Sequence, residues 1–137
     1  MGHKQKVILV CSMFVISYAI LTGIRQFISS STNADLDTLT FDLLYIANKA
    51  QQYYNKPRFL SGGGHSFTGL TADQAGIRKL IVKPHNENGT FKIVMPGDNQ
   101  SLTILGIGKY DNDGDVQNMT IEMIVYSNSV KTTIISL

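Results

Sequence analysis

The residues of this sequence with the clearest chemical potential form one short acidic run between two predicted strands. Their order is Asp111-Asn112-Asp113-Gly114-Asp115, which places carboxylates at alternate positions. Alternating oxygen ligands begin many calcium-binding loops, so Asp111, Asp113 and Asp115 are candidate ligands for Ca²⁺. An EF-hand loop has its glycine after the third acid, however, and Asp-Gly between strands is also the composition of an ordinary turn. Both interpretations stay open, and the early position of Gly114 favours the turn.

No other combination of residues indicates catalysis. The chain has a single cysteine, Cys11, and three histidines that are far apart, at positions 3, 65 and 85. A single cysteine excludes an intrachain disulfide and a cysteine-based metal site. The serines lack the context of a nucleophile elbow, and the glycine run at 62–64 lacks the lysine of a phosphate-binding loop. We therefore expect neither enzymatic activity nor a resident cofactor.

The basic residues are unevenly distributed, although the net charge is only +2. Residues 1–34 contain Lys4, Lys6 and Arg25 and no acid, whereas all ten acids lie from Asp35 onward. Binding of nucleic acid would require a clustered basic face, which the near-neutral remainder of the chain does not provide. A basic flank before an apolar segment is instead typical of the cytoplasmic side of a membrane protein.

The element on which the rest of the chain depends is an apolar segment, Val7 to Ile24. Its 18 residues carry no charge. This length is at the lower end of what a membrane-spanning helix needs, since roughly 20 residues are usual. Three interpretations compete: a secretory signal peptide cleaved near Ala19, a membrane anchor, and an assembly helix that leaves the membrane for a filament. In the third, the residues expected to pack in the filament core are Val7, Ile8, Leu9, Val10, Met13, Phe14, Val15, Ile16, Ile20, Leu21 and Ile24.

From Ala34 to Pro57 the pattern becomes that of an amphipathic helix, which favours the third interpretation. Apolar residues recur every three or four positions and therefore share one helical face. The residues expected to pack on a globular core are Leu36, Leu39, Leu43, Ala47, Ala50 and Tyr54. Segment 25–33, with the serine-rich residues 29–33 at its end, is a run of weak helix formers, which predicts either a break or a softened or kinked part of one long helix. A continuous helix from about residue 4 to about residue 54 would be roughly 75 Å long.

A glycine loop and a short helix follow. The glycines at 62–64 predict a reversal of the chain close to other backbone. Thr71 and Gln74 have the spacing of a capping box, so a short helix is predicted to end near Leu80. The apolar side chains expected to face the core in this region are Phe59, Phe67, Leu70, Ile77, Leu80 and Ile81.

The C-terminal part alternates between apolar and polar residues in a way that predicts strands. Leu102, Ile104 and Ile107 are expected to face inward, and the short turns favour an antiparallel meander. The predicted strands are 91–95, 101–108, 119–126 and 130–137.

The sequence thus predicts an α+β fold, in which a long N-terminal helix packs on a small four-stranded antiparallel sheet. The first half of the helix is apolar and the second half is amphipathic. Residues 1–30 form the apolar assembly or transmembrane half, and residues 31–137 form the globular head. The head divides into the helix continuation 34–56, the glycine loop and short helix 58–85, and the sheet 90–137.

This combination of elements resembles type IV pilins and the pseudopilins of type II secretion. Ile24-Arg25-Gln26-Phe27 resembles the point where the pilin helix leaves its apolar half, and Ala50-Gln51-Gln52-Tyr53-Tyr54 before Pro57 resembles the end of that helix. The likeness is strongest over residues 7–67 and is one of pattern. Two features depart from the family: His3 follows Gly2 where a leader cleavage site has Phe or Met, and no acid stands where the family has its glutamate.

The resemblance implies a structural subunit of an extracellular type IV pilus-like filament, a helical homopolymer of identical subunits. Such a subunit lies in the inner membrane before assembly and at the cell surface afterwards, and its partners are the membrane and a pilus or secretion assembly machinery. The alternative is a membrane-anchored minor pseudopilin or an envelope binding module of a secretion system. Without the glutamate, we expect the axial register to come from packing of β-branched side chains, with Lys4 and Lys6 at a polar boundary.

Overall fold

The computed structural model describes residues 2–109 and 118–136, apart from the side chain of Thr32. One long helix is followed by a four-stranded antiparallel sheet, so the predicted α+β fold is confirmed. The elements are α1 (His3–Asn55), a 3-10 turn (Arg58–Leu60), α2 (Gln74–Arg78), β1 (Gly89–Met95), β2 (Ser101–Gly108), β3 (Thr120–Tyr126) and β4 (Val130–Ser136).

Helix α1 is continuous over 53 residues, which gives it a length of about 80 Å. The serine-rich segment 29–33 is helical throughout, because extending an existing helix costs far less than starting one. At the C-terminal end Lys56 adopts an extended conformation, with φ −76° and ψ 131°. The residue before a proline disfavours helical geometry, so Pro57 ends the helix as predicted.

The glycine loop caps the C-terminus of α1. Three of its amide groups donate to carbonyl groups at the end of the helix or of the residue that follows it: Gly63 to Tyr53 (2.7 Å), His65 to Tyr54 (2.8 Å) and Gly64 to Lys56 (2.9 Å). Carbonyl groups at a helix end have no partner within the helix, so these bonds satisfy them. A Cβ atom on Gly63 would collide with the carbonyl oxygen of Ser66, and Gly64 has a φ of 58°. The predicted reversal close to other backbone is therefore confirmed.

Two local predictions for this region are wrong. Phe59 is 84% exposed, because the 3-10 turn after Pro57 leads it into solvent rather than back to the sheet. The N-cap of α2 is Asp73 and not Thr71, since Oδ1 of Asp73 accepts from the N–H of Gly76 at 2.8 Å. The hydroxyl of Thr71 instead donates to that same oxygen, at 2.6 Å.

The sheet is a meander with the order β1-β2-β3-β4, and each strand is antiparallel to its neighbour. Helix α1 packs across β2 and β3, and α2 lies against β1. The path of α1 follows the strands: Leu39 lies beside Gly108, and Gln51 reaches the β3–β4 turn, where its Nε2 donates to the carbonyl oxygen of Tyr126 at 3.0 Å. No helix among the described residues covers β4.

The core lies between the inner face of α1 and the sheet. Along β2, Leu102, Ile104 and Gly106 are buried. A Cβ atom on Gly106 would lie 3.0 Å from Cδ1 of Leu43, so the missing side chain lets the helix approach the sheet closely. Alternation along the strand places Ile107 on the opposite face, where it is half-buried, so the prediction that it faces inward is wrong. The largest fully buried side chains are Phe67, Leu39, Leu43, Ile46, Leu70, Ile77, Leu102, Ile104, Ile121, Met123 and Val125.

Candidate assembly surface

The first half of α1 projects away from the head without contact to it. We call residues 3–33 the stem. Every described side chain from Gly2 to Ser30 is exposed. The residues predicted to pack in a filament core are between 47% and 73% exposed: Val7, Ile8, Leu9, Val10, Met13, Phe14, Val15, Ile16, Ile20, Leu21 and Ile24. A helix with so much exposed apolar surface requires a cover other than water.

Three hydroxyl groups in the uncharged part of the stem bond to carbonyl oxygens of the stem itself. Ser12 Oγ donates to the carbonyl oxygen of Leu9 at 2.8 Å, and Ser17 Oγ donates to that of Met13 at 2.8 Å. Thr22 Oγ1 lies 3.0 Å from a carbonyl oxygen of the preceding turn. These hydroxyl groups therefore need no water, and the stem is suited to an apolar environment.

The stem is long and apolar enough to cross a membrane. Lys6 and Arg25 bracket its uncharged residues, and 18 residues of helix extend over about 27 Å. The hydrocarbon core of a bilayer is about 30 Å thick, so in a helix that crossed it the two charged groups would lie near its two boundaries.

A line of exposed apolar residues continues beyond this segment into the head. Met13, Ile20, Phe27, Ala34 and Phe41 follow each other at intervals of seven residues and are all exposed. Seven residues make nearly two helical turns, so these side chains share one face of α1, and we call them the apolar seam. Phe27 and Phe41 lie beyond Arg25 and are 76% and 71% exposed.

The second half of α1 is divided between a buried and an exposed face. Of the residues predicted to pack on the head core, Leu39, Leu43, Ala47 and Ala50 are buried, whereas Leu36 and Tyr54 are partly buried against it. The ring of Tyr54 lies 4.8 Å from that of Phe67, centroid to centroid. Because the sheet occupies only one side of the helix, Phe41 and its neighbour Tyr45 remain on the outer side.

The candidate calcium ligands Asp111, Asp113 and Asp115 lie outside the described residues. Within residues 2–109 and 118–136, no group of three or more His, Cys, Asp and Glu side chains could hold a metal ion.

A cleft of about 630 Å³ lies between α1 and segment 79–83 and is lined in part by Lys49, Lys79 and Lys83. Nζ of Lys79 donates to the carbonyl oxygen of Gly69 at 2.7 Å, and Nζ of Lys49 lies 5.4 Å from the centre of the Tyr45 ring. Two of the three ammonium groups are therefore already engaged within the head. The cleft is wide and open, and it does not have the convergent polar groups of a small-molecule site.

Among the described residues, two exposed carboxylates of the head have a lowered pKa. A hydrogen bond from the Thr71 hydroxyl and a second from the N–H of Gly76 hold the pKa of Asp73 below its ordinary value. The N–H groups of Gln100 and Ser101 lower the pKa of Asp98 in the same way. Both carboxylates cap local backbone turns and lie outside the stem.

Two features of this surface were missed by reasoning from the sequence. Oδ2 of Asp42 accepts from Nδ2 of Asn86 at 2.9 Å and from Nδ2 of Asn88 at 2.6 Å, which ties α1 to the entry of β1. Partners so far apart in the chain leave no periodic signal. The apolar seam, by contrast, has a seven-residue spacing that is readable from the sequence.

Comparison of the chain with protein-family models, with curated proteins and with solved structures finds no significant match in any of the three.

Proposed function

We propose that this chain is the structural subunit of an extracellular, type IV pilus-like filament, which polymerises through α1. The stems bundle at the centre of the filament, and the heads form its outer wall. Burial of a large apolar side chain contributes about 1.5–3 kcal/mol, so packing many stem residues against other copies strongly favours assembly. The resemblance to type IV pilins and pseudopilins supports this role, which needs neither catalysis nor a cofactor.

The observation that carries the proposal is that the apolar seam extends beyond the part of α1 that a bilayer can cover. Phe41 lies 16 residues after Arg25, which is about 24 Å farther along the helix. A simple membrane anchor has no use for exposed aromatic side chains at this distance. A neighbouring α1, aligned side by side, would cover the seam along its whole length.

Before assembly, the stem lies in the inner membrane with Lys4 and Lys6 on the cytoplasmic side, as the positive-inside rule requires. An assembly machinery then transfers the subunit from the membrane to the filament at the cell surface. Since the stem is uncharged between Lys6 and Arg25, it exchanges one apolar environment for another.

A second candidate function is that of a membrane-anchored minor pseudopilin or envelope binding module. The match between the Lys6–Arg25 interval and the thickness of a bilayer favours it, because an anchor that never polymerises needs this match and nothing more. In that case the head would bind a partner while the stem stays in the membrane.

The two functions can be distinguished by substituting the aromatic residues of the apolar seam that lie beyond Arg25, outside the segment that a bilayer can cover. The full chain is purified in detergent, the detergent is removed, and filaments are counted by negative-stain electron microscopy. We expect the double variant Phe27→Ser, Phe41→Ser to lose filaments while its membrane insertion persists. The matched control is Phe59→Ser, which removes an equally exposed aromatic side chain outside α1.

Filaments in the wild type and control but not in the seam variant would support the filament. Monodisperse monomers of the wild type, with or without detergent, would contradict it. Absence of filaments from all three chains would favour the anchor, whereas equal filaments in all three would show that the seam does not carry the assembly.

A further inference from the structure

The two edges of the sheet differ in how they are protected. At the β1 edge, the N–H of Phe91 donates to the carbonyl oxygen of Pro84 at 2.8 Å, and His85 forms a bridge with Thr90. At the other edge, no described segment pairs with the outer side of β4. Both faces of β4 are also exposed along nearly its whole length.

The hydrogen bonds of the β3–β4 hairpin show which backbone groups of β4 point outward. The N–H of Tyr126 donates to the carbonyl oxygen of Ser129 at 2.9 Å, so these two residues close the turn as a bonded pair. Bonded and non-bonded pairs alternate along an antiparallel ladder. Lys131 and Thr133 therefore bond to β3 in the observed register. The backbone groups of Val130, Thr132 and Ile134 point away from the sheet.

Within residues 2–109 and 118–136, strand β4 has few of the features by which proteins block an open edge, such as a proline, several charges or a covering loop. It contains one charged residue, Lys131, and no proline. Ile134 and Ile135 are 46% and 58% exposed on its two faces. An open strand with apolar side chains is a template for another strand.

We propose that β4 pairs with β4 of a second copy of this chain, antiparallel and around a two-fold axis at Thr132. The two four-stranded sheets then become one continuous sheet. In this register Val130 lies opposite Ile134 of the second copy, Lys131 lies opposite Thr133, and Thr132 lies opposite Thr132. Each outward N–H of residues 130, 132 and 134 donates to the outward carbonyl oxygen of the opposite residue in the second copy.

The side chains of β4 favour a second copy because the strand is complementary to itself. Apolar residues meet across the axis on one face, and the two Thr132 side chains meet between them. A register centred on Lys131 would place two lysines opposite each other, which is unfavourable. Centred on Thr132, each Lys131 instead comes within about 10 Å of Glu122 of the other copy, because Thr133 pairs with Glu122 in β3.

The pairing has a consequence for the direction of the stems. Helix α1 runs along the strands, from Leu39 beside Gly108 to Gln51 at the β3–β4 turn. A two-fold axis that reverses β4 also reverses α1, so the two stems project in opposite directions. Neighbouring subunits of one helical filament have parallel stems, so β4 pairing joins heads of different filaments. It goes beyond the proposed filament and does not depend on it.

Cross-linking of the full chain in detergent tests the pairing directly, because detergent covers the stem and leaves the head free. In a Cys11→Ser background, Thr132→Cys places two thiols across the axis, where opposed bonded residues have Cα atoms about 5.5 Å apart. A disulfide tolerates Cα distances of about 4.4–6.8 Å, so oxidation is expected to give a covalent dimer. In the matched control, Thr133→Cys on the other face, the Cα atoms are about 8 Å apart and no dimer is expected.

A second pair of variants tests the hydrogen bonds themselves. Thr132→Pro removes one outward N–H in each copy but no bond to β3, so the head is expected to fold, which its circular dichroism will show. We expect the dimer dissociation constant to rise on the order of a hundredfold, about tenfold for each lost bond. Thr132→Ala keeps the N–H groups and is expected to dimerise like the wild type.

Sedimentation equilibrium in detergent measures these constants, and electron microscopy after detergent removal shows whether filaments bundle. Dimers in detergent that depend on Thr132 would support β4 pairing whether or not the stems polymerise. Where filaments form, we expect single filaments in place of bundles for Thr132→Pro. A wild-type chain that stays monomeric in detergent would overturn it. So would equal cross-linking through positions 132 and 133, or an unchanged dimer in Thr132→Pro.

Discussion

The two halves of α1 belong to one unbroken helix but differ in what covers them. In the head half, Leu39 and Leu43 are buried against the sheet, whereas in the stem Leu9 and Leu21 have about half of their surface exposed or more. Backbone hydrogen bonds within a helix are local, so both halves form the same secondary structure. Burial depends on a partner, and among the described residues only the head half has one. The exposed stem is the reason for our proposal that other copies of the chain cover it.

The two halves of α1 also differ in the hydrogen-bond partners of their polar side chains. In the head half, Asp42 receives hydrogen bonds from Asn86 and Asn88, which lie far along the chain. In the stem, Ser12 and Ser17 bond only to carbonyl groups of the preceding turn. Hydroxyl groups that are satisfied within their own helix can move between lipid and protein without losing a bond.

The largest expected effect is the loss of assembly on placing a charge in the stem. Val15→Lys puts an ammonium group where we propose that stems pack together, and burial of an unpaired charge costs several kcal/mol. We expect no filaments by electron microscopy, with unchanged unfolding of the head. Gln100→Lys adds the same charge at an exposed turn of the head and should leave filaments intact. Filaments of normal number in Val15→Lys would show that the stem is not the assembly element.

The next effect contrasts two leucines of α1. Leu43→Ala removes a fully buried side chain and should lower the free energy of unfolding of the head by about 2–5 kcal/mol. Leu21→Ala removes an exposed side chain of the stem and should change it by less than about 0.5 kcal/mol. Urea denaturation of the full chain in detergent measures both values. Equal losses would mean that the stem contributes to the folded head.

A pair of glycines gives a smaller contrast. A Cβ atom on Gly63 would strike the carbonyl oxygen of Ser66, whereas one on Gly23 would have nothing within 4 Å. Gly63→Ala should therefore displace the cap of α1 and destabilise the head by about 1–3 kcal/mol. Gly23→Ala should be neutral for the head and favour the stem helix by up to about 1 kcal/mol. Thermal denaturation followed by circular dichroism tests this, and an unchanged melting temperature for Gly63→Ala would contradict the capping role.

The smallest effect is a dependence of head stability on acid. The pKa of Asp98 is lowered in the folded head because the N–H groups of Gln100 and Ser101 bond to its carboxylate. A carboxylate with a lowered pKa stabilises the fold above its unfolded pKa of about 3.9, and this stability is lost as the pH falls through the folded value. Asp98→Asn should be less stable than the wild type at neutral pH. The difference between their urea midpoints should shrink below about pH 4, and a constant difference would contradict the assignment.

Much of the fold was predictable because its elements have strong periodicity. The bounds of α1, β2 and β4 follow closely from an apolar helical stripe, alternating strands and the stop at Pro57. The errors arose where the path of the chain or its packing decides whether an apolar side chain faces the core or the solvent. Phe59 is apolar, but the path of the turn after Pro57 sends it into solvent, and Ile107 is displaced from the core by the alternation that buries Gly106.

The candidate surface was predictable only in part. The apolar composition of the stem is evident in the sequence, and so is the spacing of the seam. The exposure of Phe41 required knowledge of which side of α1 the sheet occupies. The open edge of β4 required knowledge of which strands α1 and α2 cover, and this depends on packing between segments far apart in the chain.

The most direct test of the proposed assembly is a helical reconstruction of the particles formed by the full chain after detergent removal. We predict parallel copies of α1 at the centre, with Phe27 and Phe41 of each copy in contact with another copy of α1. Heads that share no helical relation, with stems surrounded only by lipid or detergent, would contradict it.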